Sequence, residues 1–291
     1  MLPIPYESHY LNTNGIQLHT IQAGPTDGPL IVLLHGFPEF WYAWRKQIPF
    51  LVNLGYRVVA VDQRGYNLSD KPSEIRAYTL DELAADIFGI LPALGREKMI
   101  LVGHDWGGAV SWWFASKYPE VLEKLIVLNI PHHAIMKRTL LGSFKQKFRS
   151  SYMFFFQIPK LPEYLLSLGN YSIFATVLKK SSLSKTYSAE ELAHYRKAWS
   201  QPKAIFSMLA WYRALVKAPS KRPENRRISV PTLLIWGKQD LFLGSEMAQP
   251  SIDLCDRGFL RFIPKATHWV QHEQPDQVNS LINTFLKATA I

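Results

Sequence analysis

Residues 99–119 read MILVGHDWGGAVSWWFASKYP, and this stretch contains a strand pattern, a turn and a helix pattern in succession. The apolar run MILV predicts a buried strand, and AVSWWFASKYP predicts the helix that follows the turn. Gly103 and Gly107 flank Asp105, where small residues are needed because a tight strand-to-helix turn has no space for Cβ atoms. The sequence therefore predicts that Asp105 projects from the carboxyl end of a strand, where parallel sheets carry their reactive groups.

Six more short apolar runs lie on either side of this stretch, and helix patterns alternate with them. The runs are IQLHTIQ, LIVLLHG, YRVVAVD, KLIVLN, TLLIWG and LRFI. Such runs are typical of strands that are covered on both faces. Thr79 and Glu82 form a capping-box pattern for a helix that extends to Leu94, and Pro275 begins a final helix. The alternation predicts an α/β fold with a mostly parallel, right-handed sheet flanked by helices.

The composition of the chain indicates a packed globular protein. Its 291 residues are 47% hydrophobic, 13% aromatic and 19% charged, which excludes disordered, collagen-like and coiled-coil proteins. The only cysteine, Cys255, excludes an intramolecular disulfide and indicates a reducing compartment, so we expect a cytoplasmic protein. The N-terminal residues have no leader pattern, and no run approaches the roughly 20 apolar residues of a transmembrane segment, so we expect a soluble protein.

The net charge of +10 is concentrated in one part of the chain. Residues 132–224 contain 16 Lys and Arg but only 4 Asp and Glu, whereas the remaining residues have a net charge of −2. These residues show helix patterns and no strand pattern, which predicts a basic helical insertion in a neutral core. Three interpretations of the charge stay open: a solvated face, attraction of carboxylate-bearing substrates, and peripheral contact with an anionic membrane surface. Nucleic-acid binding is not expected, because no nucleic-acid-binding module is recognisable.

Asp105 occupies the position from which a nucleophile acts in turns of this kind. An aspartate is ionised at pH 7 and can attack saturated carbon without a base, which forms an alkyl ester. For the isolated Gly-x-Asp-x-Gly pattern, the alternative is an aspartate that only caps the following helix.

Hydrolysis of an ester on Asp105 requires a base, normally a histidine oriented by a carboxylate. Asp240 follows the run TLLIWG and His268 follows LRFI, so both lie at predicted strand ends in the order acid, then histidine. His272, one helical turn further along, is the nearest rival for the base. Asn129 occupies the other position where an acid is usually found, and an amide cannot carry the charge.

Two backbone N–H groups are candidates to stabilise the oxyanion that develops during ester hydrolysis. The N–H of Trp106 follows the nucleophile, and the N–H of Phe37 lies in the loop after the run LIVLLHG. Pro38 follows Phe37, so this peptide bond is a candidate for the cis form. The alternative interpretation of HGFP is an ordinary turn at the end of a strand.

Five segments, in this order, resemble the epoxide hydrolases of the α/β-hydrolase superfamily over almost the whole chain. They are HGFPEFWYAWRKQIP, DQRGYNLSDKP, GHDWGG, WGKQD and THWVQHEQPDQVN. The resemblance implies an α/β-hydrolase core of residues 1–131 and 225–291, with a helical cap of residues 132–224. It also implies that Tyr152, in SSYMFFFQIP, and Tyr212, in MLAWYRAL, bind and protonate the epoxide oxygen.

The resemblance implies that the chain converts an epoxide and water to a vicinal diol through an ester on Asp105, with no metal and no organic cofactor. A haloalkane or haloacetate dehalogenase is the enzymatic alternative. Fluoroacetate dehalogenases have arginines where this chain has Trp106 and Ala109, and haloalkane dehalogenases usually have Asn or Trp near the position of Phe37. A non-catalytic ligand-binding protein on the same scaffold is the alternative from another class. The sequence leaves the oligomeric state open.

Overall fold

Eight strands form one sheet in the computed structural model, which describes residues 2–221, 223 and 226–288. The strands are β1 (Glu7–Thr13), β2 (Ile16–Ala23), β3 (Leu30–Leu34), β4 (Arg57–Val61), β5 (Met99–His104), β6 (Leu122–Leu128), β7 (Thr232–Gly237) and β8 (Gly258–Ile263). Their spatial order is β1-β2-β4-β3-β5-β6-β7-β8. Only β2 pairs antiparallel with its neighbours, β1 and β4, and the other pairs are parallel. The predicted mostly parallel sheet is confirmed.

Helices flank this sheet or cover its carboxyl edge in the part of the chain that the structure describes. They are α1 (Ile48–Asn53), α2 (Leu80–Phe88), α3 (Ile90–Ala93), α4 (Trp106–Lys117), α5 (His133–Gly142), α6 (Phe144–Arg149), α7 (Tyr152–Phe155), α8 (Leu161–Ser181, kinked at residues 168–171), α9 (Ala189–Trp199), α10 (Ala204–Lys217), α11 (Ala248–Ile252), α12 (Val270–Glu273) and α13 (Pro275–Lys287). None of the described helices has both the length and the apolar character needed to cross a bilayer.

The helix expected from Thr79 to Leu94 is instead two helices, α2 and α3, which meet at Gly89. Pro92 has no N–H to donate to the carbonyl of Phe88, so a regular helix cannot continue through this point. At the start of α2, the Thr79 hydroxyl accepts a hydrogen bond from the Glu82 N–H at 3.4 Å, as the capping pattern predicts.

Strand β1 is the element that the apolar runs do not predict. Its sequence, ESHYLNT, buries only Leu11 and Thr13, because it is an edge strand whose other side chains face solvent. An edge strand needs no continuous apolar run, so its sequence does not stand out from a polar loop.

The central strands are buried on both faces, which explains their continuous apolar runs. In β3, Val32 and Leu34 belong to the core on one face, whereas Ile31 and Leu33 belong to the core on the other. This packing fixes the carboxyl ends of β3, β5, β7 and β8, where the candidate site residues lie.

Helices α5 to α10 lie between β6 and β7 in the chain, and the described residues there include no further strand. Trp199 on α9 donates its Nε1–H to the carbonyl of Pro38 at 2.6 Å, and Trp211 on α10 donates to the carbonyl of Arg64 at 3.0 Å. Because these loops follow β3 and β4, the helical segment covers the carboxyl edge of the sheet. The boundary expected between Glu224 and Asn225 lies outside the described residues, so the division into core and cap stays a prediction.

Candidate active site

Asp105 lies on the turn between β5 and α4, in a backbone conformation that side chains rarely adopt. Its φ is 49° and its ψ is −121°, which is a strained combination for a residue with a Cβ atom. Glycines around Asp105 leave the space that this turn needs, because a Cβ atom at their positions would clash. A Cβ atom on Gly36 would lie 2.5 Å from the Asp105 Cβ, and one on Gly107 would overlap the carbonyl oxygens of Leu34 and His35. The tight turn expected around Asp105 is therefore present.

The structure brings Asp105, His268 and Asp240 together from three strand ends. The His268 Nε2 lies 3.4 Å from the Asp105 Oδ2, and its Nδ1 lies 2.7 Å from the Asp240 Oδ2. The side chains of His268 and Asp240 are buried, and that of Asp105 is 14% exposed. Each nitrogen of the His268 imidazole therefore lies next to one carboxylate.

Hydrogen bonds fix the Asp240 carboxylate from both sides. Its Oδ1 accepts the N–H groups of Phe242 and Leu243 at 2.8 and 2.9 Å. Its Oδ2 accepts a hydrogen bond from the Asn129 Nδ2 at 2.8 Å, and the Asn129 Oδ1 accepts the Gly237 N–H at 3.0 Å. The sequence indicates only that Asn129 cannot be the acid, and it does not reveal that this amide supports the acid on the neighbouring strand.

The protonation states of the site follow from these contacts. Burial lowers the pKa of His268, but the charge of Asp240 and the hydrogen bonds with both carboxylates outweigh it and raise the pKa to about 10. Burial opposes ionisation of Asp105, but His268 and the Phe37 N–H stabilise the carboxylate and lower its pKa. At neutral pH the site therefore contains an ionised Asp105 beside a protonated His268.

One of the two predicted oxyanion donors contacts the Asp105 carboxylate directly. The Phe37 N–H donates to the Asp105 Oδ1 at 2.9 Å, and the Phe37–Pro38 peptide bond is cis. Trp106 is the first residue of α4, and N–H groups in the first turn of a helix have no acceptor within the helix. The Phe37 N–H is thus bonded to the carboxylate, and the Trp106 N–H, one residue after Asp105, has no acceptor within α4.

An apolar cavity of about 500 Å³ opens over Asp105. Tyr152, Tyr212 and Trp106 line it together with Asp105. The ring centroids of Tyr152 and Tyr212 are 5.9 Å apart, and those of Trp106 and Tyr212 are 5.0 Å apart. The structure therefore brings the two sequence-predicted tyrosines to the same cavity as the nucleophile candidate.

Both tyrosines are phenols at neutral pH. Burial raises the pKa of the Tyr152 and Tyr212 hydroxyls, and the negative charge of Asp105 raises each pKa further. The two hydroxyl groups can therefore donate hydrogen bonds or a proton to an oxygen atom in the cavity.

The rival histidine, His272, lies in a different buried network. Its Nε2 is 2.7 Å from the Glu39 Oε1, and its Nδ1 is 2.8 Å from the Arg45 Nη1. Burial lowers the pKa of His272 to about 4, so the neutral ring accepts from Arg45 and donates to Glu39. His272 is therefore not the partner of Asp105.

Sequence reasoning missed Glu39, which is fully buried next to the site. Its carboxylate accepts hydrogen bonds from the Tyr195 hydroxyl at 2.8 Å and from the Gln271 Nε2 at 3.2 Å. The ring of His104 lies 3.4 Å from Glu39 and donates to the His268 carbonyl at 2.8 Å. The signal that could have identified Glu39 is a carboxylate within the HGFPEF segment, two residues after the predicted oxyanion donor Phe37.

Comparisons with known proteins agree with this geometry. Residues 29–275 match the alpha/beta hydrolase fold family. The chain is 48% identical to the AB hydrolase superfamily protein YfhM of Bacillus subtilis, over 96% of this chain and 97% of that protein. It is 40% identical to Epoxide hydrolase 4 of Mus musculus, over 95% of this chain and 78% of that protein.

A solved structure is similar over nearly the same range. The crystal structure of an epoxide hydrolase from Bacillus megaterium in complex with an inhibitor superposes with a TM-score of 0.87 at 33% identity, covering 96% of this chain and 99% of that one. The fold, the motifs and these relatives agree, and the chain belongs to the epoxide hydrolase family of the α/β-hydrolase superfamily.

Proposed function

We propose that this chain hydrolyses epoxides to vicinal diols through a covalent ester on Asp105. One observation carries the proposal: Asp105 lines an apolar cavity that two protonated phenols also line, and His268 and Asp240 lie in series behind it. The mouse relative and the Bacillus megaterium structure are both named epoxide hydrolases, which supports the same activity. The reactants are a small-molecule epoxide and water.

In the first step, a carboxylate oxygen of Asp105 attacks an oxirane carbon, and the ring C–O bond breaks. The electron pair of that bond moves to the epoxide oxygen, which takes a proton from Tyr152 or Tyr212. The raised pKa of each phenol keeps it protonated until the alkoxide develops. In this proposal, residues 132–224 are the cap that contributes both tyrosines to a site on the core.

Formation of the ester changes the protonation of His268. Two of the contributions that raise its pKa come from Asp105, namely a hydrogen bond and the negative charge. An ester on Asp105 has neither the charge nor the same acceptor strength, so the pKa of His268 falls when the ester forms. The imidazolium gives up its proton, which restores the phenol that was deprotonated in the first step, and the neutral His268 is then a base for the second step.

In the second step, water attacks the carbonyl carbon of the ester, and the Nε2 of His268 takes a proton from this water. The N–H groups of Phe37 and Trp106 donate to the oxyanion that develops. The intermediate then releases the diol, whose departing oxygen takes a proton from His268. The Asp105 carboxyl, which now contains one oxygen from water, passes its remaining proton to His268, so the ionised carboxylate and the imidazolium of the free enzyme are restored. Asp240 stabilises the imidazolium whenever it is present.

We also propose a cytoplasmic location for this reaction. Cys255 is the only cysteine in the sequence and is buried, so the chain has no intramolecular disulfide to form in an oxidising compartment. Cell fractionation with an antibody against the chain tests this location, and recovery from a secreted fraction would contradict it.

A single turnover in ¹⁸O-water, with enzyme in excess over the epoxide, tests the mechanism. We expect label on the peptide that contains Asp105 and little label in the diol, because the first diol oxygen comes from the carboxylate. His268→Gln should accumulate the alkyl-enzyme, since only the second step needs a base. His9→Gln, at a half-exposed histidine of β1, is the control.

Two results would contradict the proposal. Label that enters the diol in the first turnover would mean that water attacks the epoxide directly, so Asp105 would not be the nucleophile. Halide release from haloalkanes or haloacetates, with no turnover of styrene-type, aliphatic and fatty-acid epoxides, would mean that the chain is a dehalogenase and not an epoxide hydrolase.

A further inference from the structure

Helix α6 has an unusual distribution of polar and apolar side chains. Gln146 is its buried residue, and it donates to the Phe242 carbonyl at 2.8 Å and accepts the Gly244 N–H at 3.2 Å. Phe144 and Phe148 are each two residues from Gln146, so they project from the opposite side of the helix. They are 87% and 82% exposed. The polar side chain is therefore inside and the aromatic side chains are outside.

The helices before and after α6 in the chain also expose large apolar side chains. Leu141 at the end of α5 is 69% exposed, and Phe154 on α7 is 73% exposed. We call Leu141, Phe144, Phe148 and Phe154 the α5–α7 patch. Large apolar side chains that are grouped on a surface mark an interaction site more often than isolated ones do.

Basic residues alternate along the chain with the residues of the α5–α7 patch. The segment 133–158 contains five basic residues and no Asp or Glu; they are Lys137, Arg138, Lys145, Lys147 and Arg149. Among the described carboxylates, none forms an ion pair with any of these five. The turn Ser245–Met247 of the core contacts α5 and contains one acidic residue, Glu246. The five basic residues therefore outnumber the acidic residue near them.

Exposed Phe and Leu interleaved with Lys and Arg form the pattern of segments that lie in the interface of an anionic bilayer. A second copy of the chain fits the charges poorly, because a two-fold contact would place the same basic residues against each other. We propose that the α5–α7 patch binds the surface of anionic lipid bilayers, with its aromatic side chains in the acyl boundary and its basic side chains at the headgroups.

The position of the patch relative to the cavity supports a lipid surface. Lys137 and Leu141 on α5 and Met153 on α7 line the cavity over Asp105, and Leu141 also belongs to the patch. A bilayer that covers the patch would therefore lie beside the opening of the apolar cavity. The binding proposal itself does not depend on the proposed catalytic function, and its test uses no substrate.

Flotation with lipid vesicles tests the proposal. We expect the full chain to float with vesicles of equal parts phosphatidylcholine and phosphatidylglycerol, to stay behind with phosphatidylcholine alone, and to dissociate as salt is raised. The double variant Phe144→Ser and Phe148→Ser should bind on the order of 100-fold more weakly. Tyr10→Ser, which removes an exposed aromatic ring from β1 on the core, is the matched control and should bind like the unmodified chain.

A charge variant separates electrostatic attraction from apolar insertion. Lys145→Gln with Lys147→Gln should weaken binding about 25-fold, from roughly fivefold for each charge near the surface. The matched control is Arg261→Gln with Lys265→Gln, which removes the same charge from exposed positions on the core. Equal weakening by both pairs would mean that net charge alone attracts the chain, and it would overturn the assignment to the patch.

A fluorescent reporter gives a second measurement. Ser151 is exposed between α6 and α7, so Ser151→Cys with an environment-sensitive dye reports on the patch itself. The native thiol of Cys255 does not compete, because burial raises its pKa to about 12. We expect a blue shift of the dye emission when anionic vesicles are added and none with phosphatidylcholine vesicles.

Three results would overturn the proposal. The first is an unmodified chain that neither floats with anionic vesicles nor shifts the dye emission. The second is a Phe144→Ser and Phe148→Ser variant that binds as tightly as the unmodified chain. The third is a dimer, seen by light scattering, that this variant converts to a monomer, which would mean that a second copy covers the patch.

Discussion

Replacing Asp105 by asparagine removes one negative charge beside His268 and keeps the side chain nearly the same size, which imitates the loss of charge on ester formation. The Asp105 Oδ2 lies 3.4 Å from the His268 Nε2. At this separation and an effective dielectric constant of about 20, the attraction is about 5 kcal/mol. This energy corresponds to a change of about 3.6 in pKa. We therefore expect the pKa of His268 to fall from about 10 towards the neutral range in Asp105→Asn.

Proton titration of ¹⁵N-labelled imidazole groups by NMR measures this change directly. The resonance of His268 should titrate near neutral pH in Asp105→Asn and near pH 10 in the unmodified chain. His272 is an internal control in the same spectra, because its pKa of about 4 depends on burial, Glu39 and Arg45. The substitution should leave the titration of His272 unchanged.

A pKa of His268 that stays above about 9 in Asp105→Asn would contradict this prediction. Such a result would mean that Asp240 alone keeps the imidazole protonated, so loss of charge on Asp105 would not create a base. The ester would then require another base, or hydrolysis would be slow at neutral pH. If the pKa falls but His268→Gln does not slow ester hydrolysis, then Asp105 does control the protonation of His268, but His268 is not the base.

Three further perturbations test other parts of the site. Tyr152→Phe or Tyr212→Phe should slow ester formation about 10-fold or more, and the double variant should slow it by 10²–10⁴-fold in stopped-flow alkylation, roughly the range for a proton donor. Rates unaffected by the double substitution would remove the tyrosines from the first step. Asn129→Ala leaves the buried Asp240 carboxylate with one donor fewer, and urea unfolding should report a loss of about 1–3 kcal/mol in stability. Trp199→Phe removes the hydrogen bond to Pro38 but keeps an aromatic ring, and should slow single-turnover ester hydrolysis roughly fivefold, about the effect of one weak hydrogen bond. An unchanged hydrolysis rate would show that this contact does not position the loop.

The positions of Asp105, Asp240 and His268 could be predicted from sequence because each follows an apolar run. Parallel strands bring their carboxyl ends to one edge of the sheet, so His268 contacts Asp105 and Asp240, which are 163 and 28 positions away in the chain. Phe37 was predictable for the same reason, since its loop follows β3. Local sequence patterns are enough to predict these site residues, because the parallel sheet brings the strand ends together.

Other features depend on contacts that no local pattern contains. The support that Asn129 gives to Asp240 requires the ends of β6 and β7 to be adjacent and the two side chains to be 2.8 Å apart. Glu39 contacts Tyr195 and His272, which are 156 and 233 residues away in the chain. Strand β1 was missed because its exposed edge needs no apolar run. Each of these is set by tertiary contacts rather than by residue type or spacing.

The loop that contributes the Phe37 N–H is fixed by side chains of the helical segment as well as by the core. Trp199 donates to the carbonyl of Pro38, and Tyr195 donates to the carboxylate of Glu39, so both residues that follow Phe37 contact α9. A shift of α9 away from the sheet would remove partners from a buried carboxylate and a buried carbonyl, which costs free energy. The segment that carries the two candidate proton donors for ester formation therefore also positions a candidate donor for ester hydrolysis. The two steps depend on the same packing between the helical segment and the core.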